Sequence, residues 1–266
     1  MFKQLVPLSA TTHRALKLSP NQPFDFASKM VFIPLSQAEI AKAAREYVIV
    51  FPLQHGVPQA LTGYEADKNV YVNAAGQWMG RYIPAHIRRY PFILSEIQTS
   101  AEDRTLTGRQ FGVQVDIEAP HLSDANDHPL FNEQGEPTAV LQQIQKVLMF
   151  LQQDFEKTQE LVAELDALNL LTEAPIKLSL ADGSPAKQLT GFRVVDQTVL
   201  AALPAEQLAG LRSTGALALV YAHLISLTNL QDGWIAKHAA NTAPAQDEVD
   251  VEQLFGDLND TLKFNF

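Results

Sequence analysis

The chain lacks cysteine altogether, and this absence excludes several kinds of site. Without thiols there can be no disulfide, no iron–sulfur cluster, no thiolate-bound zinc and no cysteine nucleophile. Cysteine-free chains are compatible with a reducing compartment. Residues 1–8 also lack the basic stretch and following apolar run that a signal peptide requires. We therefore expect a cytoplasmic protein.

Positive charge and long apolar runs are both scarce. The 20 lysines and arginines are outnumbered by 30 aspartates and glutamates, which gives a formal net charge of −10. Such a balance argues against nucleic acid or an anionic membrane surface as the main partner. The longest apolar-rich run, residues 216–227, is shorter than the roughly 20 residues of a membrane-spanning helix. We expect neither nucleic-acid binding nor membrane insertion.

Sequence signatures of common cofactor and metal sites are missing. There is no Gly-x-Gly-x-x-Gly, no phosphate-binding P-loop and no Gly-x-Ser-x-Gly. One segment does concentrate oxygen and imidazole ligands: Asp116, Glu118, His121, Asp124, Asp127 and His128. Their spacing matches neither a calcium loop nor the histidine pairs of zinc or iron sites. We predict a solvated, turn-rich loop, no metal and no cofactor.

Residues 69–92 form the most closely ordered stretch of the sequence. Val70 and Val72 alternate with polar or aromatic residues, which predicts a strand, and Gly76 supplies the conformational freedom of a tight turn. Trp78 is then predicted to return to the core. Pro84 favours a helix start and Pro91 disfavours helix at the preceding residue, so a helix of about one turn is expected between them.

This short helix carries the candidate binding residues. The functional hypothesis is a clamp for an anion or carboxylate, beside Trp78 and Tyr82, built from Arg81, His86, Arg88 and Arg89. The alternative is that one arginine pairs with a carboxylate while its stem packs on a tyrosine. Because consecutive helical residues lie about 100° apart, at most one of Arg88 and Arg89 should point readily inward.

Elsewhere, patterns predict strands, short helices and one long helix. Ser36 and Glu39 form a capping box that predicts a helix over residues 37–46. The continuous apolar run of residues 47–51 is typical of a central strand, and residues 59–64 are expected to pair in a meander with residues 70–73. Residues 91–97 and 111–117 predict a hairpin with a long tip. His223 is interpreted as a core histidine bonded to a carbonyl rather than a catalytic base.

The strongest helical pattern covers residues 141–165. Apolar side chains recur at spacings of three and four: Leu141, Ile144, Leu148, Leu151, Phe155, Val162 and Leu165, with Thr158 in the same stripe. A homodimer seam would show this stripe, but the polar Thr158 favours a helix packed on its own sheet. Strands are again expected over residues 176–180 and 187–195, followed by short helices over residues 196–203 and 204–213.

The C-terminal segment departs from what a solitary domain needs. Residues 231–246 have the composition of a linker, and residues 247–266 combine acidic residues with apolar ones. One helical face of this tail would be apolar, and we expect it to dock within the chain or on a partner. The docking residues are Leu254, Phe255, Leu258, Phe264 and Phe266.

These patterns together predict an α+β fold. Antiparallel or mixed strands and hairpins pack with one long helix and several short helices, and an acidic amphipathic tail follows. Residues 1–230 are the globular domain, with a division into two sub-domains near residues 135–175 as the alternative.

Several segments resemble one known family. They are residues 2–9, 47–51, 69–78, 82–92, 189–196 and 221–227. Together they resemble the bacterial SapC family, named from a surface-layer protein locus, over the chain up to residue 230. The resemblance implies neither a settled activity nor catalytic residues, and it implies gene neighbours such as flavin-dependent halogenase-like proteins. A role in peptide transport, sometimes associated with the family, conflicts with the lack of membrane spans.

Two functions of different classes follow. The first is an accessory protein that binds a peptide or protein partner, such as a neighbouring modification enzyme, in a surface-protein or peptide-modification pathway. The second is an enzyme that acts on a carboxylate-bearing substrate through residues 81–89, with His86 as general acid or base.

Overall fold

The computed structural model describes residues 1–19, 23–96, 110–178 and 187–240. In these ranges the strands are β1 (Leu5–Pro7), β2 (Lys17–Leu18), β3 (Phe32–Pro34), β4 (Val48–Pro52), β5 (Gln59–Leu61), β6 (Phe92–Glu96), β7 (Phe111–Asp116), β8 (Leu122–Ser123), β9 (His128–Pro129), β10 (Leu171–Glu173), β11 (Ile176–Leu178), β12 (Lys187–Leu189) and β13 (Phe192–Val195). The α-helices are α1 (Ala10–His13), α2 (Ile40–Ala43), α3 (Ala85–Arg88), α4 (Ala139–Ala167), α5 (Gln197–Ala202), α6 (Ala205–Thr214), α7 (Ala216–Ser226) and α8 (Trp234–Ala240).

The larger sheet places β4 at its centre. Within the described ranges its order is β10-β13-β4-β5-β3, and every pairing is antiparallel. The first four residues of β4 are fully buried, as its continuous apolar run predicts. A second sheet, of order β1-β7-β6, contains the predicted hairpin, whose tip lies outside the described residues. The predicted α+β fold is therefore confirmed.

Helix α4 links two clusters of buried hydrophobic side chains. Thr138 caps its N-terminus, and its C-terminal half packs Leu161, Val162 and Leu165 into the main cluster around β4. Its N-terminal half packs Leu141 and Leu148 into the cluster against β6 and β7. The helix thus lies on its own sheets, and its apolar stripe is used within the chain.

The buried histidine of α7 has the predicted structural role. His223 is completely buried, and its Nδ1 lies 2.7 Å from the carbonyl oxygen of Ile49. Its Nε2 accepts a hydrogen bond from the amide of Val195 at 3.2 Å. Nδ1 is therefore the protonated nitrogen of a neutral ring, which joins α7 to two strands of the sheet.

The predicted strand over residues 70–73 does not form. The side chain of Asn69 accepts a hydrogen bond from the amide of Tyr71 at 2.9 Å and so bends the backbone into a turn. Val70 and Tyr71 are consequently both buried, whereas successive residues of a strand would face opposite sides. The turn at Gly76 is present, with a φ of 71°.

Three further predictions need correction. The helix expected over residues 37–46 is shorter, because Gln37–Glu39 is a 3₁₀ turn that precedes the four-residue α2. In the acidic loop, Asp116 and His121 are buried rather than solvated. The Asp116 carboxyl accepts hydrogen bonds from the amides of Lys3 and Gln4, so it anchors the N-terminal segment.

The last correction concerns the predicted linker. Residues 234–240, which lie in it, form α8, and Ile235 is buried. The indole nitrogen of Trp234 donates to the carbonyl of Val70 at 2.8 Å. The packed part of the chain therefore extends past residue 230 into α8, because these apolar side chains find partners in the main cluster.

Candidate functional site

A cavity of about 470 Å³ lies where the two hydrophobic clusters meet. Its wall is formed by β2, the 3₁₀ turn, α2, α3, β6 and one face of α4. Apolar side chains dominate the lining: Leu18, Ala38, Ala85, Phe92, Ile144, Val147, Leu148, Phe150 and Leu151. The lining residues that carry polar groups are Ser36, Glu39, Lys42, Tyr82, Arg88, Arg89, Tyr90 and Gln143. This volume falls within the range of ligand pockets.

Glu39 holds one wall of the cavity together. The side chain is buried, and its Oε1 accepts from the amide of Ser36 at 3.0 Å, which completes the predicted capping box. Its Oε2 accepts from the hydroxyl of Tyr82 at 2.7 Å and from the amide of Ala85 at 2.8 Å. One carboxyl group therefore ties the 3₁₀ turn to the start of α3.

The two arginines of α3 differ in their surroundings. Arg88 is exposed; its Nε donates to the carbonyl of Ile83 at 2.9 Å, and its guanidinium carbon lies 5.8 Å from the ring centroid of Tyr82. Arg89 is half-buried, with its guanidinium carbon 5.9 Å from the ring centroid of Phe2. Burial lowers the pKa of Arg89 to about 10. Both side chains reach the cavity, although they are consecutive.

These cations have no anionic partner in the described part of the chain. There, no carboxyl oxygen lies within 4.0 Å of a side-chain nitrogen of Lys42, Arg88 or Arg89. The buried Nε of Arg89 has no hydrogen-bond partner either. A desolvated donor without a partner costs free energy, and the unpaired positive charges favour an anionic ligand at the cavity.

Exposed apolar side chains extend the cavity wall outwards along α4. Val147 and Phe150 line the cavity, yet they remain 46% and 60% exposed. Met149, on the adjoining face of the same helix, is 38% exposed. A contiguous apolar surface of this kind is typical of an interaction site.

The structure separates the six predicted binding residues. Tyr82, Arg88 and Arg89 line the cavity, whereas Trp78, Arg81 and His86 do not. Arg81 is exposed, and its backbone amide, not its guanidinium, bonds to Glu46. The ring of His86 packs edge-on to Phe155 with a centroid distance of 6.4 Å. Burial, and then the charge of Arg89, lower the pKa of His86 to about 3.

Trp78 is half-buried and supports the cavity wall from behind. Its Nε1 donates to the hydroxyl of Tyr47 at 3.1 Å and to the carbonyl of Tyr82 at 3.2 Å. Its ring packs against Phe24 and Tyr71, with centroid distances of 5.9 Å and 6.0 Å. The indole therefore positions Tyr82 without touching the cavity.

We expect Trp78→Ala to lower the free energy of unfolding by about 3 kcal/mol, because ring packing and two hydrogen bonds are lost. Trp78→Phe, which keeps most of the packing, should cost only about 1 kcal/mol. Urea denaturation followed by circular dichroism measures both. A loss for Trp78→Ala within about 0.5 kcal/mol would show that the indole is peripheral.

Most residues of the cavity wall are not predicted as binding residues by the sequence. The sequence pattern indicates only a capping role for Glu39 and gives no signal for Lys42. On α4, Val147 and Phe150 lie beside the regular apolar stripe. Their presence widens the apolar face beyond what packing on one sheet requires, and this excess was the available signal.

Neither the proposed tail contacts nor a metal site can be located in the structure. Residues 247–266, with the predicted docking residues, lie outside the described ranges. Within those ranges, no group of three or more histidine, aspartate or glutamate side chains is arranged to hold a metal ion. No single helix there is long and apolar enough to cross a membrane, although the pair Ala205–Thr214 and Ala216–His238, bent by 91°, meets the criteria jointly.

Comparison with known proteins identifies a family but no individual relative. Curated proteins and solved structures give no significant match. The SapC family model matches residues 8–232 of the 266. This match includes α2, α3, α4 and all of the described cavity wall. The chain therefore belongs to the SapC family.

Proposed function

We propose that this protein is a binding protein whose cavity receives an apolar side chain of a peptide or protein partner, while Arg88 and Arg89 pair with a neighbouring carboxylate. The observation that carries the proposal is the combination of an apolar cavity with cations that lack a carboxyl partner among the described residues. A ligand with both groups would fill the cavity and pair with the guanidinium groups that line it.

The surface around the cavity favours a macromolecular ligand over a small one. A ligand of about 470 Å³ would fill the cavity but leave the outer faces of Val147 and Phe150 in water. A peptide chain or a protein surface that continues along α4 would cover both. An accessory role in a surface-protein or peptide-modification pathway is compatible with such binding.

Binding is preferred over catalysis at residues 81–89 for a geometric reason. His86, the acid or base of the enzymatic hypothesis, does not line the cavity, and its pKa of about 3 leaves it without a proton to donate near neutral pH. Glu39 does line the cavity, but both of its oxygens accept hydrogen bonds from the protein. These hydrogen bonds give Glu39 the role of supporting the cavity wall.

The proposal can be tested with one charge placed in the cavity wall. Val147→Glu should weaken binding of a fluorescent peptide with a phenylalanine between aspartates by about tenfold or more, which corresponds to about 1.4 kcal/mol. The new carboxylate repels the peptide and removes apolar contact. Fluorescence anisotropy of the full chain measures the dissociation constant.

Ile225→Glu is the matched control, since Ile225 is an exposed β-branched residue on α7 that does not line the cavity. It should leave the dissociation constant within about twofold. A companion peptide with asparagines in place of aspartates should bind more weakly than the acidic peptide. Equal effects of the two glutamate variants, or no preference for the acidic peptide, would contradict the proposal.

A further inference from the structure

The cavity also suggests a regulatory partner within the same chain. We propose that the acidic and apolar segment 247–266 occupies this cavity intramolecularly and competes with the external partner. This inference rests on the proposed function, because it assigns a second ligand to the same site.

Charge is the first argument for this occupant. Residues 247–266 contain six acidic residues and one lysine, a formal charge of −5 in a chain whose total is −10. The cavity lining includes Lys42, Arg88 and Arg89, which have no carboxyl partner among the described residues. The most acidic segment of the chain therefore complements these cations.

Apolar chemistry is the second argument. Leu254, Phe255 and Leu258 lie between Glu252 and Asp260, so the segment offers large apolar groups next to carboxylates. The cavity wall is mainly apolar, and the outer faces of Val147 and Phe150 are exposed. Burial of such side chains contributes about 1.5–3 kcal/mol each. The segment thus has both groups that the cavity is proposed to recognise.

The path of the chain is the third argument. The segment follows α8, whose Trp234 bonds to Val70 and lies 6.2 Å from Tyr71, measured between ring centroids. Tyr71 contacts Trp78, which bonds to Tyr82 in the cavity wall. An extended chain spans roughly 3.4 Å per residue, so residues 241–253 can reach about 44 Å. This length is sufficient to connect the end of α8 with the cavity, because only these few contacts separate the two.

Tethering makes docking within the chain favourable even when the contacts are weak. A short flexible connection gives an effective concentration of about 1 mM, whereas a second copy is present only at its solution concentration. A segment with an intrinsic dissociation constant of about 0.1 mM would then raise the apparent dissociation constant of an external peptide by about tenfold. An external partner would therefore have to bind the cavity more tightly than the tail does in order to displace it.

The absence of cysteine permits a direct test, since an introduced pair is then the only pair in the chain. Val147→Cys combined with Leu258→Cys in the full chain should form a disulfide within one chain under mild oxidation. The matched control pairs Leu258→Cys with Tyr221→Cys, because Tyr221 is a similarly exposed residue, 50% against 46%, on α7. We expect the cavity pair to form at least about fivefold faster, since bridging requires Cα atoms within about 7 Å.

Competition provides the second measurement. Phe255→Ser with Leu258→Ser, in the full chain, should bind the fluorescent acidic peptide about tenfold more tightly than the unaltered chain. Leu208→Ser, an exposed leucine of α6 away from the cavity, should not change this affinity. For the cysteine pairs of the crosslinking test, non-reducing electrophoresis separates crosslinks within one chain from crosslinks between two chains.

The outcomes distinguish this inference from the proposed function. Equal crosslinking of the two pairs, crosslinks between chains, or unchanged affinity of the serine double variant would each overturn intramolecular docking. If peptide binding still depends on Val147, the proposed function stands without the internal competitor. If Val147→Glu leaves the affinity of the serine double variant unchanged, the proposed function fails as well.

Discussion

Replacing Leu148 and Phe155 together by lysine should abolish the cooperative unfolding transition of this protein. Leu148 is 3% exposed in the cluster against β6 and β7, and Phe155 is half-buried against His86. Each lysine removes apolar burial and places a charged group in a largely apolar environment. The combined cost, about 5 kcal/mol or more, is comparable with the total stability of a typical domain. Circular dichroism during thermal and urea denaturation would show the loss.

The control uses the exposed face of the same helix. Met149→Lys with Phe150→Lys changes two residues that are 38% and 60% exposed, and it should retain the cooperative transition. If the Leu148 and Phe155 double variant were instead a folded monomer derived from a dimer, the apolar stripe of α4 would be an intermolecular seam. Sedimentation of both variants beside the unaltered chain separates these results.

The second large effect is a loss of stability in acid, to which the desolvated rings of His223 and His86 contribute; burial lowers the pKa of His121 as well. Burial lowers the pKa of His223 to about 4, and burial together with Arg89 lowers that of His86 to about 3. Below the ordinary value of 6.5, the unfolded chain binds protons that the folded chain does not. Stability is therefore fully present above pH 6.5 and falls as the pH is lowered towards 4 and then 3.

At about 1.4 kcal/mol per pH unit, His223 alone should cost about 3 kcal/mol by pH 4, and His86 should add a similar loss. The unfolding free energy from urea titrations between pH 7 and pH 4 measures the combined slope. His86→Phe removes one titrating ring and keeps an aromatic contact with Phe155, so it should flatten this slope. His128→Gln, at an exposed site, should not. An unchanged slope in His86→Phe would show that this ring is not buried as described.

Local patterns predicted those parts of the fold whose interactions are local. The capping box of Ser36 and Glu39 is present, and α3 follows Pro84 over one turn. The 29-residue α4 covers the predicted stripe. Thr158, the polar member of that stripe, already argues in the sequence against a purely apolar seam between two chains.

Predictions failed where a side chain from elsewhere in the sequence, or an unexpected local bond, redirected the backbone. Asn69 bonds both to Tyr71 and to the carbonyl of Ala27, and it converts an alternating pattern into a turn. Asp116 is buried because Lys3 and Gln4, just before β1, supply amide donors from more than a hundred residues away. Neither effect has a periodicity that a sequence pattern could reveal.

For the candidate site, the sequence by itself identified Arg88 and Arg89 as candidates for binding an anion, and tertiary structure decided that both line one cavity with Lys42. Arg88 and Arg89 stand out in the sequence because cations are scarce in an acidic chain. Their alignment with Tyr82, and the displacement of His86 from the lining, depend on how Glu39 fixes the start of α3. The apolar wall comes from α4, which adjoins α3 only because its stripe is buried in both clusters. Burial of that stripe is a contact between distant segments, so folding, and not local pattern, creates the cavity.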